Sequence, residues 1–321
     1  MPSSSLIRIA ILDDYQNVAL DMADWSALKG RADITVFNDH IADTAQIIER
    51  LRPFDVVSVM RERTPLTREI IESLPNLKLI ASTGAANASI DTEAAAQRNI
   101  KVAHTSYSST PTIEFTWAMI LGMARNIAIE NQSLREGGWQ RTLGTELAGK
   151  TLGLLGLGHI GSAVGVIGRA FRMNVIAWSQ NLTAERAESK GVQLVDKDTL
   201  FSTSDFLSIH LRLSERTRGL VGAAELARMK PASRLINTSR GPIVDIGALR
   251  AALDNGQIAG AAIDVYDVEP LDAADPLRAQ RNLLATPHIG YVTQEMYQTF
   301  YRDTVRNIVE WLDQTQQTDN V

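Results

Sequence analysis

The chain has 321 residues, which is more than one ordinary hydrophobic core accommodates, so its length predicts two domains. With 45% hydrophobic residues, 21% charged residues and a net charge of −5, it is typical of a globular protein and lacks the clustered Lys and Arg that a nucleic-acid partner requires. Because the chain contains no cysteine, it cannot form disulfides or thiolate metal sites, and no other metal site is expected because His104, His159 and His210 have no second ligand at metal spacing. It has no apolar run of about 18 residues, so no membrane span is expected and a soluble cytoplasmic protein is predicted.

Short apolar runs alternate with helical stretches from the start of the chain. The runs that predict strands lie at 7–12, 34–37, 55–60, 77–82 and 100–104. The stretches that predict helices lie at 43–51, 67–74 and 91–99. This alternation predicts a parallel sheet that is covered by helices.

A second alternating series follows a long helical stretch. Pro111 stands at the start of that stretch, where a missing N–H costs nothing, and the pattern predicts one helix from there to residue 134. The strands of the second series are predicted at 151–156, 174–178, 205–210, 234–238, 260–264 and 283–287. Six strands is the number that a complete dinucleotide-binding fold uses.

The last amphipathic stretch predicts a C-terminal helix. Apolar residues recur at helical spacing from Tyr297 to Leu312. Because the second series of strands is complete before this helix, we expect the helix to return to the first domain. The polar tail after Leu312 is expected to fray.

Residues 151–165 read TLGLLGLGHIGSAVG and form a glycine-rich turn between a predicted strand and a predicted helix. Gly156 permits a tight turn, Gly158 lets a pyrophosphate approach the backbone, and Gly161 lets the helix pack closely on the strand. The helix carries Ile160 at the start of its apolar face. Together with the next strand the turn completes a βαβ unit, so it predicts a dinucleotide site with the pyrophosphate at the helix N-terminus.

The predicted fold class is therefore α/β, with two doubly wound parallel-sheet domains. The second domain, at 106–289, is predicted to be a Rossmann domain that binds NAD(P). It is inserted into the first, a substrate-binding domain made of 1–105 and 290–321.

Three charged residues each follow a predicted strand of the second series. They are Arg240 in NTSRGPIVD, Glu269 in DVYDVEP and His288 in TPHIG. Open α/β sheets place their ligands at the carboxyl ends of the strands. His288 can donate a proton to a carbonyl oxygen, Glu269 can hold the other ring nitrogen of that histidine, and Arg240 can bind a carboxylate. The three residues predict hydride transfer to a carbonyl beside a carboxylate.

These motifs, in this order and spacing, resemble the D-isomer-specific 2-hydroxyacid dehydrogenase family, which includes phosphoglycerate dehydrogenases and glyoxylate and hydroxypyruvate reductases. The resemblance covers nearly the whole chain and implies an NAD(P)-dependent oxidoreductase of small 2-oxo and D-2-hydroxy acids, with Arg240, Glu269 and His288 as catalytic residues. It also implies a homodimer formed through the nucleotide-binding domains, and a cleft between the domains that holds the nicotinamide near Asp264. The further cofactor-binding residues that it implies are His159, Ile160, His210, Thr217 and Thr238.

The segment ASTGAANASID at 81–91 resembles the family's substrate loop, whose backbone N–H groups hold the substrate carboxylate. The residues that the resemblance assigns to the substrate are Thr83, Gly84 and Ala85. The loop departs from the family's common pattern at Ala86, Asn87 and Ser89. Arg61 and Arg63, in MRERTPLT, match positions that carry arginines in many relatives, and Arg61 is the one that is expected to reach an acidic substrate. The alternative is that Arg61 and its neighbour Arg63 are exposed, solvated charges.

The second strand of the nucleotide-binding series lacks the acidic residue that usually binds the adenosine ribose. Ser179 stands in that place, which removes the main barrier to a 2′-phosphate. Ser179 and Asn181 can donate hydrogen bonds to such a phosphate, and Arg212 can supply a positive charge. We therefore expect NADPH to be used at least as well as NADH. The alternative is that Arg212 is solvated and that either cofactor is accepted.

Two other functions remain open. Formate and phosphite dehydrogenases resemble this chain, but formate-type sites usually carry Gln where Glu269 stands. A corepressor-like, nucleotide-sensing binding protein of the same fold is the alternative from another class. Such proteins add a long disordered tail, and the end of this chain soon after its last helix favours the enzyme.

Overall fold

The computed structural model describes residues 6–318, which form two compact units. One unit comprises Met1–Ser108 with Val292–Val321, and the other comprises Ser109–Tyr291. The insertion of one unit into the other agrees with the predicted fold class. Assigning substrate to the first unit and NAD(P) to the second remains a prediction. Within the described residues, none of the helices combines the length and the apolarity that crossing a bilayer requires.

The first unit contains a five-stranded sheet with the order β2-β1-β3-β4-β5, in which all pairs are parallel. Its strands are β1 (Ile7–Ile11), β2 (Ala32–Val36), β3 (Val56–Val59), β4 (Leu79–Ser82) and β5 (Lys101–His104). Its first helices are α1 (Thr44–Leu51), α2 (Arg68–Ser73) and α3 (Thr92–Gln97). Every residue of β3 and β4 is buried, which accounts for their continuous apolar runs. The predicted strands and helices of this unit are all present.

The C-terminal helix, α11 (Gln294–Thr318), packs on β4 and β5, so its return to the first unit is confirmed. The expected fraying after Leu312 is wrong for the residues that the structure describes, because the helix continues to Thr318. Side chains beyond Leu312 are tied to the unit: Asp313 accepts from Arg31 at 2.6 Å, and Gln314 accepts from Lys101 at 3.2 Å. Residues 319–321 of the predicted tail lie outside the described residues.

The second unit begins with two helices where the sequence predicts one. These are α4 (Thr110–Ala124) and α5 (Ile127–Arg135). Asn126 separates them in a left-handed conformation, with φ 52°, and its side-chain Nδ2 donates to the carbonyl of Leu143. The apolar periodicity continues through the break, so the sequence pattern gives no sign of the turn. Asparagine adopts the left-handed conformation of this turn more readily than most residues.

A seven-stranded parallel sheet with the order β12-β11-β10-β9-β6-β7-β8 forms the centre of the second unit. Its strands are β6 (Thr151–Leu155), β7 (Asn174–Trp178), β8 (Gln193–Leu194), β9 (Phe206–Ile209), β10 (Arg234–Asn237), β11 (Gly260–Ile263) and β12 (Leu283–Ala285). Its helices are α6 (His159–Ala170), α7 (Ala184–Glu188), α8 (Lys197–Thr203), α9 (Ala223–Arg228) and α10 (Ile246–Asp254). The sequence missed β8, which is too short to produce a pattern.

The register of this sheet aligns the carboxyl ends of neighbouring strands. Asn237 pairs with both Ile209 and Ile263, and Ile263 pairs with Ala285. On the other side, Leu155 pairs with Ile209 and with Trp178. The residue after each strand therefore lies on one edge, and the strand order reverses between β6 and β9, where such sheets bind ligands.

Candidate functional site

The turn between β6 and α6 has contacts that only glycine permits at two of its positions. Gly156 has φ +106°, and a Cβ built on it would lie 2.6 Å from the carbonyl oxygen of His210. A Cβ on Gly161 would lie 2.2 Å from the carbonyl oxygen of Gly156. The turn is thus packed between β9 and the first turn of α6.

Gly158 differs from the other two glycines of the turn. It is exposed at the N-terminal end of α6, and a Cβ built on it would meet no atom within 4 Å. His159 beside it is also exposed, and Ile160 is half-buried. The first N–H groups of a helix have no partner within it, so this end offers donors and open space to an anion.

Two further glycines in α6 also have a packing role, which the sequence pattern did not lead us to predict. A Cβ on Gly165 would lie 3.1 Å from Leu154, and one on Gly168 would lie 2.7 Å from Leu152. With Gly161 they form a stripe at helical spacing that brings α6 close to β6. The spacing of small residues in HIGSAVGVIG was the available signal.

His210, directly after β9, has a buried Nε2 that lacks a hydrogen-bond partner among residues 6–318. Burial lowers the pKa of His210 to about 4, so its ring is neutral near pH 7. An orphaned polar atom of this kind, beside the glycine turn, is suited to a ligand. Thr238, after β10, is buried, and its hydroxyl is 2.8 Å from the hydroxyl of Thr116.

An open groove of about 600 Å³ lies at the end of β7. Its lining residues are Trp178, Ser179, Gln180, Leu182, Leu194, Val195, Asp196 and Thr199. Of the residues expected around a 2′-phosphate, Ser179 lines this groove, whereas Asn181 and Arg212 are exposed outside its lining. Thr217 donates its hydroxyl to the carbonyl of Arg212 at 2.7 Å and so shapes that loop.

Asp196 is a groove residue that the sequence analysis missed. Its carboxylate accepts from the N–H and the hydroxyl of Thr199, both at 2.7 Å, and caps α8. Those hydrogen bonds lower the pKa of Asp196, which keeps it ionised. The position before a helix was its only signal, and that signal indicates a cap.

The imidazole of His288 is paired with a carboxylate that follows the neighbouring strand. Nδ1 of His288 lies 2.5 Å from Oε2 of Glu269, and Oε1 of Glu269 accepts from the N–H of Tyr266 at 2.9 Å. His288 has a left-handed backbone, with φ 52°. The side chains of His288 and Glu269 are 27% and 30% exposed, so the pair is accessible to solvent although the protein holds Glu269 in place.

Asp264 anchors the segment that carries His288. Its carboxylate is buried and accepts from the hydroxyl of Thr286 at 2.7 Å and from the N–H groups of Ile289 and Gly290 at 2.9 and 2.8 Å. Burial raises the pKa of Asp264 despite these donors. The carboxylate thus fixes the backbone on both sides of His288.

Arg240 follows β10 in a segment that contacts the Glu269 loop. Its carbonyl accepts from Nδ2 of Asn237 at 3.0 Å, and its guanidinium donates to the carbonyl of Ser239 at 2.8 Å. Next to it, a Cβ on Gly241 would lie 2.2 Å from the backbone of Tyr266. The second unit therefore brings together the segments of Arg240, Glu269 and His288. Asn237, Gly241 and Tyr266, which fix this arrangement, gave no recognised signal in the sequence.

The loop after β4, in the first unit, uses some of its N–H groups internally. The N–H of Thr83 donates to the carbonyl of Val59, and that of Gly84 donates to Oγ1 of Thr105. Within residues 6–318, no acceptor lies opposite the N–H of Ala85. Of the three residues assigned to the substrate, Ala85 is therefore the one with an available donor.

The two arginines after β3 are partly buried, so the alternative that both are exposed, solvated charges is wrong. The guanidinium of Arg63 donates to the carbonyl of Asp13 at 2.7 Å and lies over the ring of Tyr15. The side chain of Arg61 is 16% exposed and lies against Gly84. Arg63 is bound within its own unit, and Arg61 lies at the loop.

The comparisons with known proteins agree with these observations. Residues 117–290 match the family model described as "D-isomer specific 2-hydroxyacid dehydrogenase, NAD binding domain". The chain is 36% identical to the hydroxypyruvate reductase of Thermotoga maritima, over 88% of this chain and 92% of that protein. The structure of a phosphoglycerate oxidoreductase from Vibrio cholerae has a TM-score of 0.90 and 38% identity, covering 96% of this chain and 100% of that one.

Other relatives are longer than this chain. The D-3-phosphoglycerate dehydrogenase of Synechocystis sp. is 36% identical over 296 residues, which are 91% of this chain and 52% of that protein. The chain thus spans about half the length of such relatives. All the relatives named here bear the names of oxidoreductases, which favours an enzyme over the corepressor-like alternative.

Proposed function

We propose that this chain, which belongs to the D-isomer specific 2-hydroxyacid dehydrogenase family, is a cytoplasmic NAD(P)-dependent enzyme that reduces small 2-oxo acids to D-2-hydroxy acids. The reaction converts a 2-oxo acid, NAD(P)H and a proton into a 2-hydroxy acid and NAD(P)⁺. The observation that carries the proposal is the His288–Glu269 pair, at 2.5 Å, on the strand-end edge that also carries Arg240.

Each residue of this group has a step that its chemistry suits. Glu269 holds Nδ1 of His288, which leaves Nε2 to donate the proton to the C2 oxygen and to take it back in the reverse direction. Arg240 presents the planar donors that a carboxylate accepts and polarises the adjacent carbonyl. Asp264 keeps the His288 segment in place through the N–H groups that it binds. When bound, the nicotinamide supplies the hydride.

The residues at the β6–α6 turn fit a dinucleotide. Gly158 leaves open space beside the first N–H groups of α6, and the buried Nε2 of His210 has no partner among the described residues. A pyrophosphate can accept hydrogen bonds from the first N–H groups of α6. A polar group of the ligand can bond to Nε2 of His210. We assign His159, Ile160, Thr217 and Thr238 to the same cofactor surface.

We assign the substrate to the loop after β4 in the first unit. Ala85 offers a backbone N–H to the substrate carboxylate, and Thr83 and Gly84 shape the loop. Arg61 supplies the positive charge that an acidic substrate needs.

We propose further that NADPH is used at least as well as NADH. Ser179 places a neutral hydroxyl in the groove where an acid would repel a 2′-phosphate. Asp196 is the carboxylate of that groove, but it is fully exposed, so solvent screens its charge. The ratio of kcat/KM for the two cofactors tests this, with Ser179→Asp expected to shift the ratio toward NADH. A parent that strongly prefers NADH contradicts it.

A second copy of this chain is the partner that we propose. Apolar side chains of the segment 127–143 are exposed in the single chain: Ile127, Ile129, Leu134, Trp139 and Leu143. The segment is ordered, because Glu130 accepts from the backbone of Arg141 and Thr142 and so folds it back on α5. Light scattering should give a dimer for the parent and a monomer for Leu143→Asp, whereas Leu20→Asp in the first unit should remain dimeric. A monomeric parent refutes this assembly.

Turnover with several substrates tests the proposed reaction. The purified chain is assayed with pyruvate, glyoxylate and hydroxypyruvate, each with NADH and with NADPH, by the loss of absorbance of the reduced cofactor. We expect stoichiometric formation of the 2-hydroxy acid, in the D configuration for pyruvate and hydroxypyruvate, because the product of glyoxylate has no stereocentre. If cofactor binds but none of the 2-oxo acids is reduced with either cofactor, the proposed function is wrong.

A further inference from the structure

Arg61 has a backbone conformation that arginine rarely adopts. Its φ is 54°, in the left-handed region, although it lies at the carboxyl end of a buried strand. Such a conformation costs free energy and persists where the surrounding contacts fix it. The contacts of Arg61 therefore indicate what holds it.

Both backbone polar groups of Arg61 are bonded to the loop after β4. The N–H of Arg61 donates to Oγ1 of Thr83 at 2.8 Å, and its carbonyl accepts from Nδ2 of Asn87 at 2.6 Å. Two loops that follow neighbouring strands are thus joined through a single residue. We call Arg61, Thr83 and Asn87 together the Asn87 clamp.

The other hydrogen bonds of its side-chain amide hold Asn87 in one orientation. The residue is 7% exposed, and its Nδ2 also donates to Oγ of Ser82 at 3.2 Å. Its Oδ1 accepts from the N–H and the hydroxyl of Ser89, at 2.9 and 2.6 Å. Exchanging the two ends of the amide would set donor against donor at Ser89 and acceptor against acceptor at Arg61, so the clamp has one satisfied arrangement.

The clamp determines where the guanidinium of Arg61 lies. A Cβ built on Gly84 would lie 1.7 Å from Nη1 of Arg61, so the guanidinium rests on the α-carbon of that glycine. The ring of Tyr107 supports it, 5.1 Å from the ring centroid, and Glu62 is 3.8 Å away, at the limit of an ion pair. A positive charge is thereby fixed beside the loop that offers the N–H of Ala85.

We propose that Asn87 is a positioning residue for substrate selection, which fixes Arg61 so that the enzyme prefers 2-oxo acids with a second anionic group. The proposal rests on the proposed function. Asn87 acts through Arg61 and does not itself touch the substrate. On this view, the loop departs from the family's pattern at Asn87 because that residue forms the clamp, and at Ser89 because that residue orients the amide of Asn87.

The test compares a dianionic with a monoanionic substrate, oxaloacetate and pyruvate, in the full-length chain. Asn87→Asp removes the donor to Arg61 and keeps an acceptor for Ser89, but it also adds a negative charge near Arg61, so the neutral variant Thr83→Val must lower the measured ratio as well. Thr83→Val removes the other bond of the clamp, and Arg61→Gln removes the charge. The matched control is Asn76→Asp, because Asn76 also donates from Nδ2 to an arginine carbonyl, that of Arg52 at 3.0 Å, in the same unit.

The quantity measured is the ratio of kcat/KM for oxaloacetate to that for pyruvate. The parent should favour oxaloacetate, and Arg61→Gln and Asn87→Asp should each lower the ratio by roughly tenfold, mainly through KM for oxaloacetate. Asn76→Asp should leave the ratio within about twofold. A merely structural role would reduce both substrates together and leave the ratio unchanged, which would overturn the proposal.

Two outcomes separate the inference from the proposed function. A parent that reduces 2-oxo acids but favours pyruvate refutes the inference alone. A parent that reduces none of them refutes the proposed function and the inference with it. If Asn87→Asp does not fold, Thr83→Val decides, since it must lower the same ratio.

Discussion

Replacing Gly158 by alanine separates cofactor binding from folding. A Cβ at this position would meet no atom within 4 Å, and the residue has φ −77°, which alanine adopts without strain. Alanine lowers the entropy of the unfolded chain, which stabilises the fold, but it is a poorer N-cap than glycine, which destabilises the fold. Because these two effects offset each other, the free energy of unfolding should change by less than about 1 kcal/mol. The same methyl group enters the space beside the first N–H groups of α6. Losing one charge-assisted hydrogen bond there costs about 1.5–3 kcal/mol, or roughly 10- to 100-fold in Kd.

Gly222 provides the matched control for this variant. It also precedes a helix, α9, with φ −111°, and a Cβ built on it would have ordinary contact with Glu225 at 3.6 Å. Gly222→Ala should leave the Kd for NADH and NADPH unchanged, as measured by fluorescence titration, and both variants should melt close to the parent. Parental affinity in a folded Gly158→Ala variant would refute the assignment of the turn to the pyrophosphate.

Three other variants test separate features of the second unit. Gly161→Ala places a Cβ 2.2 Å from the carbonyl oxygen of Gly156, so the free energy of unfolding should fall by about 1–3 kcal/mol, and an unchanged thermal midpoint would contradict this packing. His288→Ala should lower kcat by roughly 100- to 10,000-fold while the Kd for the cofactor stays constant, and near-parental turnover on every accepted 2-oxo acid would exclude the proton-transfer role. The folded pKa of His210, about 4, lies below its unfolded value of 6.5, so stability should be lost as the pH falls between these values, by up to about 3 kcal/mol. His210→Gln should flatten that dependence in denaturant titrations of the cofactor-free protein, and His159→Gln, which changes an exposed ring, should not.

The main elements could be predicted because buried strands produce continuous apolar runs. The missing parts have local causes. The strand β8 (Gln193–Leu194) has two residues and no pattern. The helix break at Asn126 depends on one left-handed residue inside an apolar periodicity that continues on both sides. After Leu312, the polar residues Asp313 and Gln314 of α11 are bound by Arg31 and Lys101, contacts that the sequence of the tail does not reveal.

The proposed catalytic group and the Asn87 clamp differ in the kind of information that locates them. Arg240, Glu269 and His288 follow strands that are neighbours in a parallel sheet, so topology alone brings their segments to one edge. The clamp depends on an amide that reaches a carbonyl 26 positions away, and on a backbone conformation that no propensity indicates. Parallel topology thus predicts which segments meet at one edge of a sheet, because it constrains the strand ends. It does not predict where an individual charged side chain lies, because that depends on hydrogen bonds between loops, as at Arg61.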